Sequence, residues 1–346
     1  MVTIKDIARE CGVSAVTVSA VLNNKLGEVS PATRERVQEA ALRLKYRPSA
    51  VARRLAGKRM NTIGIADRYA DMTYWSSPYE SPVLEGIMSA ARRFEWDILY
   101  FTGHPTKDFM TSLPAYLDGR CDGMILLNHA MFAHEANQIL DTGLPFVFIG
   151  NVDRDGPVNG KASVIDVDND AATYEAVTHL VELGHTRIAI FQGIVSAGNA
   201  PRLAAYCRAL TDAGIKIDDD LIIPSLAYEP SGFAFAKEVL SRPVSLRPTA
   251  IFCFNDNLAF AVMKTAFELG IRIPEQLSVV GFDDTAPAAL STPPLTTIRQ
   301  PLRMVGERAV GVLLGLIHGE LPVGSGAIVS HELVIRGSTS PPPKLT

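Results

Sequence analysis

Residues 3–24 read TIKDIARECGVSAVTVSAVLNN. Thr3 stands where a side-chain oxygen can cap a helix. Ile4, Ile7, Ala8 and Cys11 follow at the i, i+3, i+4, i+7 spacing of one buried face, and Gly12 can end the helix. Ser14 caps a second helix with Val18, Val21 and Leu22 on one side. Ser30 and Pro31 open a third, with Val37, Ala40, Ala41 and Leu44 turned inward. Three short helices around one small core, the first two joined by a Gly-containing turn, make a helix-turn-helix, whose second helix enters the major groove of DNA.

Charge supports this reading. Residues 1–60 carry 12 Lys and Arg against 5 Asp and Glu, whereas the remainder carries 21 against 32. A basic head on an acidic body implies that the head alone meets a polyanion, because each cation set against a phosphate releases counterions. The 346 residues, 47% of them hydrophobic, exceed one small core and call for two or three globular units. No apolar run reaches membrane-span length, and Lys5, Asp6, Arg9 and Glu10 interrupt any signal-peptide stretch, so a cytoplasmic protein is expected. Cys11, Cys121, Cys207 and Cys253 lie far apart without CxxC spacing, and the seven histidines are scattered; neither a disulfide framework nor a metal site is expected, and no cofactor.

After Met60, apolar strand-like runs alternate with helical patterns: TIGIA, DILYF, GMILL, FVFIG, RIAIF, LIIP, AIFCF and SVVGF. Alternation of this kind builds parallel sheets, and eight such strands fit two doubly wound lobes better than one. The tail reads as a strand in LTTIRQ, a long helix, and one further strand in IVSHELVIRGST. The fold class is therefore an all-α helix-turn-helix head plus an α/β body of two parallel-sheet lobes. Ligands of such sheets sit beyond the carboxyl ends of the strands. The loops there supply Tyr74, Trp75 and Tyr79, then Asn128, Arg202, Tyr228, Asn255, Asp283 and Asp284. Arg202 and Asp283 can hold vicinal hydroxyls between a donor and an acceptor; Asn128 and Asn255 serve equally as turn formers. No GxSxG elbow, P-loop or helix-opening GxGxxG occurs, which argues against an enzyme.

The opening stretch, followed by VSPATRERV and YRPSAVARRLAGKRMNTIG, closely resembles the head and hinge of the LacI/GalR family of bacterial repressors. The resemblance implies boundaries at 1–47 for the head, 48–60 for the hinge and 61–346 for the effector-binding and dimerisation body. Within the body it implies an N-lobe of about 61–161 and 298–329 and a C-lobe of about 162–297 and 330–340, like a periplasmic sugar-binding protein, with crossings near Ala162, Thr297 and Val329. It also implies a hinge helix over PSAVARRLAG that folds on DNA, wedging Leu55 into the minor groove with Arg53 and Arg54 on phosphates. Lys5 would stand near the groove, Arg202 matches the family's RLxGY arginine, and Tyr228 lies on a loop that often stacks on ligand.

The second helix departs from the family. With Val18, Val21 and Leu22 inward, the exposed residues are expected to be Ala15, Val16, Thr17, Ser19 and Ala20, none with a long hydrogen-bonding arm. Members commonly carry Arg or His at the place of Ala20. Direct readout then rests on methyl contacts to thymine and on Thr17, with Ser14, Thr17, Ser19 and Asn23 donating to phosphates. The prolines of SPPPKLT replace the leucine heptad of tetrameric members, implying a homodimer on a pseudo-palindromic operator. The expected function is a dimeric repressor released from DNA by a carbohydrate effector. A purine or other corepressor, a cytoplasmic sugar sensor without a DNA role, and a sugar-processing enzyme are the alternatives.

Overall fold

The computed structural model describes residues 2–22, 29–47, 59–67, 78–102, 109–127, 133–150, 161–194, 200–225 and 229–344. Residues 1–60 and 61–346 form two compact units.

In the head, α1 (Ile4–Cys11) begins where Asp6 Oδ2 accepts from the Thr3 backbone N–H at 2.9 Å and the Thr3 hydroxyl at 2.8 Å. It ends at Gly12, whose φ of 62° is left-handed. Ser14 Oγ accepts from Thr17 N–H at 3.0 Å and opens α2 (Ala15–Leu22). Ser30 Oγ does the same for Thr33 N–H at 3.3 Å ahead of α3 (Pro31–Arg43). Ile7, Ala8, Cys11, Val18, Val21, Val37, Ala40 and Ala41 close the core. Ala20 is a correction: expected outside, it is 5% exposed. At 100° per residue it lies on the flank between Val16 and Val21, where a one-carbon side chain does not rise above its neighbours.

Among the described residues the body contains two six-stranded sheets. The first is built from β1 (Thr62–Asp67), α4 (Glu80–Arg93), β2 (Asp97–Tyr100), α5 (Phe109–Tyr116), β3 (Gly123–Leu127), α6 (Ala133–Leu140), β4 (Phe146–Ile149) and β5 (Ser163–Val167). The second is built from α7 (Asn169–Glu182), β6 (Ile188–Ile194), α8 (Ala200–Asp212), β7 (Ile222–Ser225), α9 (Glu229–Leu240), β8 (Ala250–Cys253), α10 (Asp256–Glu268), β9 (Ser278–Asp283), α11 (Ala286–Leu290) and β10 (Thr296–Arg299). The chain then returns through α12 (Leu302–His318), which packs on α4 and on β3 to β5, before β11 (Ala327–Val329) and β12 (Glu332–Val334).

Sheet one runs β11-β5-β4-β3-β1-β2, all parallel, and sheet two runs β12-β10-β9-β8-β6-β7, with only β12 antiparallel. Each contains the doubly wound order 2-1-3-4-5, so each has a switch point, between β1 and β3 and between β6 and β8. All eight strands read from the apolar runs are present. Three details differ. SVIDV, read as no strand, is β5 and pairs with β4, moving the first crossing from near Ala162 to just after Val167. β10 belongs to the second sheet, so the next crossing falls at Gln300–Pro301 instead of near Thr297. IVSHELVIRGST is two strands, β11 in the first sheet and β12 in the second, with the third crossing between them at Ser330–His331.

Candidate functional site

The crossings bring the carboxyl ends of strands from both lobes together around Arg202. This residue opens α8, in a helix anchored by buried Ala205, Tyr206, Ala209 and Leu210. Its Nε donates to Asn169 Oδ1 at 2.8 Å, one Nη donates to the Phe254 carbonyl, and the guanidinium lies 3.7 Å from the centre of the Phe282 ring. Asn169, at the start of α7, donates in turn to Asp166 Oδ2 at 2.9 Å and to the Val167 carbonyl at 3.3 Å. A continuous hydrogen-bonded path therefore runs from β5 of the first lobe to α8 of the second, across the first crossing.

Asp283 ends β9 with φ +117°, outside the comfortable range of a residue bearing a side chain, and is buried. Its Oδ1 accepts from Gln300 Nε2 at 2.6 Å, which ties it to the second crossing. Burial pushes its carboxyl well above the usual carboxylate range, reinforced by Asp256 and opposed by Arg202 and the Gln300 amide. Burial lowers the Arg202 pKa, while Asp283 and Asp166 hold it charged. Tyr79, immediately before α4, faces the same charges: burial first, then Asp283, Asp166 and Glu80, push its phenol upward. Arg202 thus shares its surroundings with Asp283, Asp166 and Tyr79, an alternation of donors and acceptors in which burial disfavours the charged forms of both Arg202 and Asp283.

Tyr79, Arg202 and Asp283, all read from the sequence, are brought together. Asn255 is not part of this network in the same sense: its Oδ1 caps α10 by accepting from Leu258 N–H at 2.8 Å, the turn-forming role. Asn128, Trp75 and Tyr228 lie outside the described residues, as do Asn23, Arg53, Arg54 and Leu55. Sequence reasoning missed Asp166, Asn169, Gln300 and Asp256. Asp256 is fully buried and accepts from Thr285 N–H at 2.7 Å, Thr285 Oγ1 at 2.9 Å and Thr297 Oγ1 at 2.6 Å. Burial outweighs those three donors and pushes its carboxyl up to about 6. Asp284, φ 53°, accepts from Arg299 Nε at 2.7 Å and Arg336 Nη2 at 2.5 Å, clamping the segments on either side of the later crossings.

A cavity of about 730 Å³, lined in part by Pro78, Ser81, Thr285, Gln300, Arg303 and Glu307, opens beside the second crossing. Its lining includes Gln300 but none of Tyr79, Arg202 and Asp283, so it neighbours their cluster without being the same space.

In the head, Lys5 is exposed on α1, and Ser14 and Thr17 stand at the entrance of α2 with their hydroxyl oxygens 2.8 Å apart. Val16 is 77% exposed, whereas Ala15, Thr17 and Ser19 are half-buried.

Comparison with known proteins bears on both units. Residues 3–49 match the family described as "Bacterial regulatory proteins, lacI family", and residues 177–339 match the "Periplasmic binding protein-like domain". The chain is 36% identical over 321 residues to the HTH-type transcriptional repressor PurR of Vibrio atlanticus (strain LGP32), covering 91% of each sequence. Among solved structures it is similar to the lac repressor dimer bound to operator and the anti-inducer ONPF, with a TM-score of 0.82, 30% identity, and coverage of 98% of this chain and 99% of that one. It is also similar to the transcriptional regulator CelR in complex with cellobiose, with a TM-score of 0.73, 29% identity, and coverage of 98% and 100%.

Proposed function

The chain belongs to the LacI family of bacterial regulatory proteins, and from that premise we propose that this DNA-binding transcriptional repressor acts as a homodimer released from its operator by a small neutral carbohydrate bound between the lobes. It works in the cytoplasm, where the operator is, and carries out no catalysis.

The observation that carries the effector class is the charge and hydrogen-bond pattern around Arg202. One guanidinium feels the charges of Asp283 and Asp166, with Asn169 and Gln300 adding amide groups. Vicinal hydroxyls, which donate and accept at once, suit such an alternation; a sugar phosphate or sugar acid would bring charge to a place where burial already disfavours the charged forms of Asp283 and Arg202. The complex of CelR with cellobiose supports the same class. The second reading, a purine corepressor that tightens operator binding, draws on the similarity to PurR. Phe282, buried and covered by the Arg202 guanidinium at 3.7 Å, offers a purine no open π-face, so a purine would have to stack on another ring of the site.

Effector binding would act through the crossings. Closing the lobes on a ligand changes the partners of Arg202 and Asp283, which are hydrogen-bonded to Asn169 at the first crossing and Gln300 at the second. The resulting lobe rotation alters the spacing of the paired hinge segments, a coupling of typically about 1 to 3 kcal/mol that is reciprocal between effector and operator. A two-headed dimer, as in the lac repressor dimer on its operator, then reads a pseudo-palindrome.

A thermal-shift screen of the purified protein against mono- and disaccharides, sugar acids, sugar phosphates and purines tests the effector class. A ligand at about 100 times its Kd stabilises by roughly 2.7 kcal/mol, enough for a clear rise in melting temperature. A neutral sugar that also weakens operator binding is the expected result. A response to purines alone, with tighter operator binding, would replace the inducer reading by the corepressor reading. Loss of operator affinity with rising salt, at a slope matching several phosphate contacts, separates a DNA-reading repressor from a sugar sensor that makes no use of its head.

A further inference from the structure

The helix that the head offers to the major groove carries none of the side chains that pair bidentately with a base. Of the eight residues of α2, only Val16 is exposed, at 77%. Val18, Ala20 and Val21 are buried, and Ala15, Thr17, Ser19 and Leu22 are half-buried. The polar groups at its entrance are engaged with one another: Ser14 Oγ accepts from Thr17 N–H at 3.0 Å and lies 2.8 Å from Thr17 Oγ1. What the helix projects outward is one isopropyl group, on its second residue. The N-terminal residues of such a helix are the ones that reach base edges.

The major groove offers one apolar counterpart, the C5-methyl of thymine; 5-methylcytosine carries the same group. We infer that Val16 reads a pyrimidine C5-methyl in each operator half-site and is the specificity-determining residue of this head, thymine being the ordinary source of the methyl. The inference rests on the operator-binding function and deepens it. It explains how the head selects sequence without an Arg, Gln or Asn on α2. Burying one methyl contributes about a fourfold preference, against about five- to 150-fold for a bidentate pair. Discrimination at each half-site is therefore modest. The remaining selectivity comes from DNA shape, and most of the affinity from the basic head on phosphates.

The test uses the full-length protein. Binding duplexes are selected from a random pool, and each thymine of the enriched half-site is replaced in turn by 2′-deoxyuridine, which deletes only the methyl. One position is expected to cost about fourfold in Kd per half-site and about fifteenfold when both are replaced. At that position a C·G pair weakens binding and a 5-methyl-C·G pair restores it, which separates the methyl from the hydrogen-bond pattern of the base. Val16→Ala binds the thymine duplex as weakly as the parent binds the deoxyuridine duplex, and loses nothing more on deoxyuridine. Leu42→Ala, which removes the other large exposed apolar side chain among the described residues of the head, 79% exposed on α3 outside the groove helix, keeps the full deoxyuridine sensitivity. Uniform tolerance of deoxyuridine across the half-site, or sensitivity that survives in Val16→Ala, overturns the inference. Failure to enrich any sequence at all would remove sequence-selective operator binding itself, and the methyl contact with it.

Discussion

Gly306 and Gly311 lie on the same helix, α12, and the same substitution should act on them with opposite signs. Gly306 meets α4 at the helix crossing. A methyl added there would fall inside the van der Waals shell of the Val83 carbonyl oxygen, 2.8 Å from Ile87 N and 3.1 Å from the Val83 carbonyl carbon. All three atoms are backbone, so no rotamer change relieves the clash and α4 must move as a unit. Overpacking of this kind costs about 1 to 3 kcal/mol, occasionally more, and the intrinsic helix preference of Ala over Gly returns only about 1 kcal/mol. Gly86 on α4 is the mirror of this contact, with its added methyl 2.9 Å from the Arg303 carbonyl carbon and 3.1 Å from Glu307 N. An added methyl at exposed Gly311 meets nothing within 4 Å, so there the preference for Ala acts unopposed. For a unit of this size about 1 kcal/mol corresponds to roughly 2 °C in Tm. With a backbone contact this close the cost lies at the upper end of that range, so Gly306→Ala should lower the Tm of the body by about 4 °C, and Gly311→Ala should raise it by about 2 °C. Calorimetry of the two variants beside the parent, with urea unfolding to check that m is unchanged, decides the matter. Equal effects of the same sign would refute the argument that backbone contact between α4 and α12 requires glycine at 306.

Asp283→Ala should abolish the effector response while leaving operator affinity intact, measured as operator release against effector concentration; an unchanged dose response removes Asp283 from the site. The Asp256 carboxyl, at about 6 in the fold against an ordinary 3.8, binds its proton more tightly folded than unfolded. Its contribution is thus fully present below about pH 4 and is lost as pH rises through about 6. Between those limits the parent should lose about 3 kcal/mol of unfolding free energy relative to Asp256→Asn. Parallel stability curves for the two proteins would contradict this. Leu55→Ala should weaken operator binding by more than Ala20→Ser, read by equilibrium binding to the same duplex, and equal effects would count against a minor-groove wedge.

Much of the fold was legible because local chemistry and tertiary structure agree. The caps at Ser14 and Ser30, the left-handed Gly12, and the eight apolar runs each act within a few residues of where they are written. β5 escaped notice because SVIDV alternates buried and half-buried positions and carries Ser163 and Asp166 within five residues, so no continuous apolar run marks it. β11 and β12 were read as one strand because Ser330 and His331 carry no Gly or Pro to signal a break; the division is made by pairing with two different sheets. Ala20 was misplaced because periodicity gives a direction around the helix but not the height of the neighbouring side chains.

The candidate site divides along the same line. Arg202, Asp283 and Tyr79 could be found because each follows or flanks a recognisable strand end or loop. Asp166, Asn169 and Gln300 could not, since all three sit at chain crossings whose positions depend on which sheet accepts β5 and β10. These crossing residues are also the ones that bind the strand-end residues: Asn169 holds Arg202, and Gln300 holds Asp283. Asp284, adjacent to Asp283 and also at positive φ, clamps Arg299 and Arg336 on the second lobe's side of the later crossings. Any ligand that competes for Arg202 or Asp283 must therefore disturb a hydrogen bond at a point where the chain passes between lobes. On the proposed function, coupling between a ligand at Arg202 and Asp283 and the orientation of the lobes would need no longer pathway than one side chain, and would arise from the interleaving of the two lobes in the chain, which local spacing does not record.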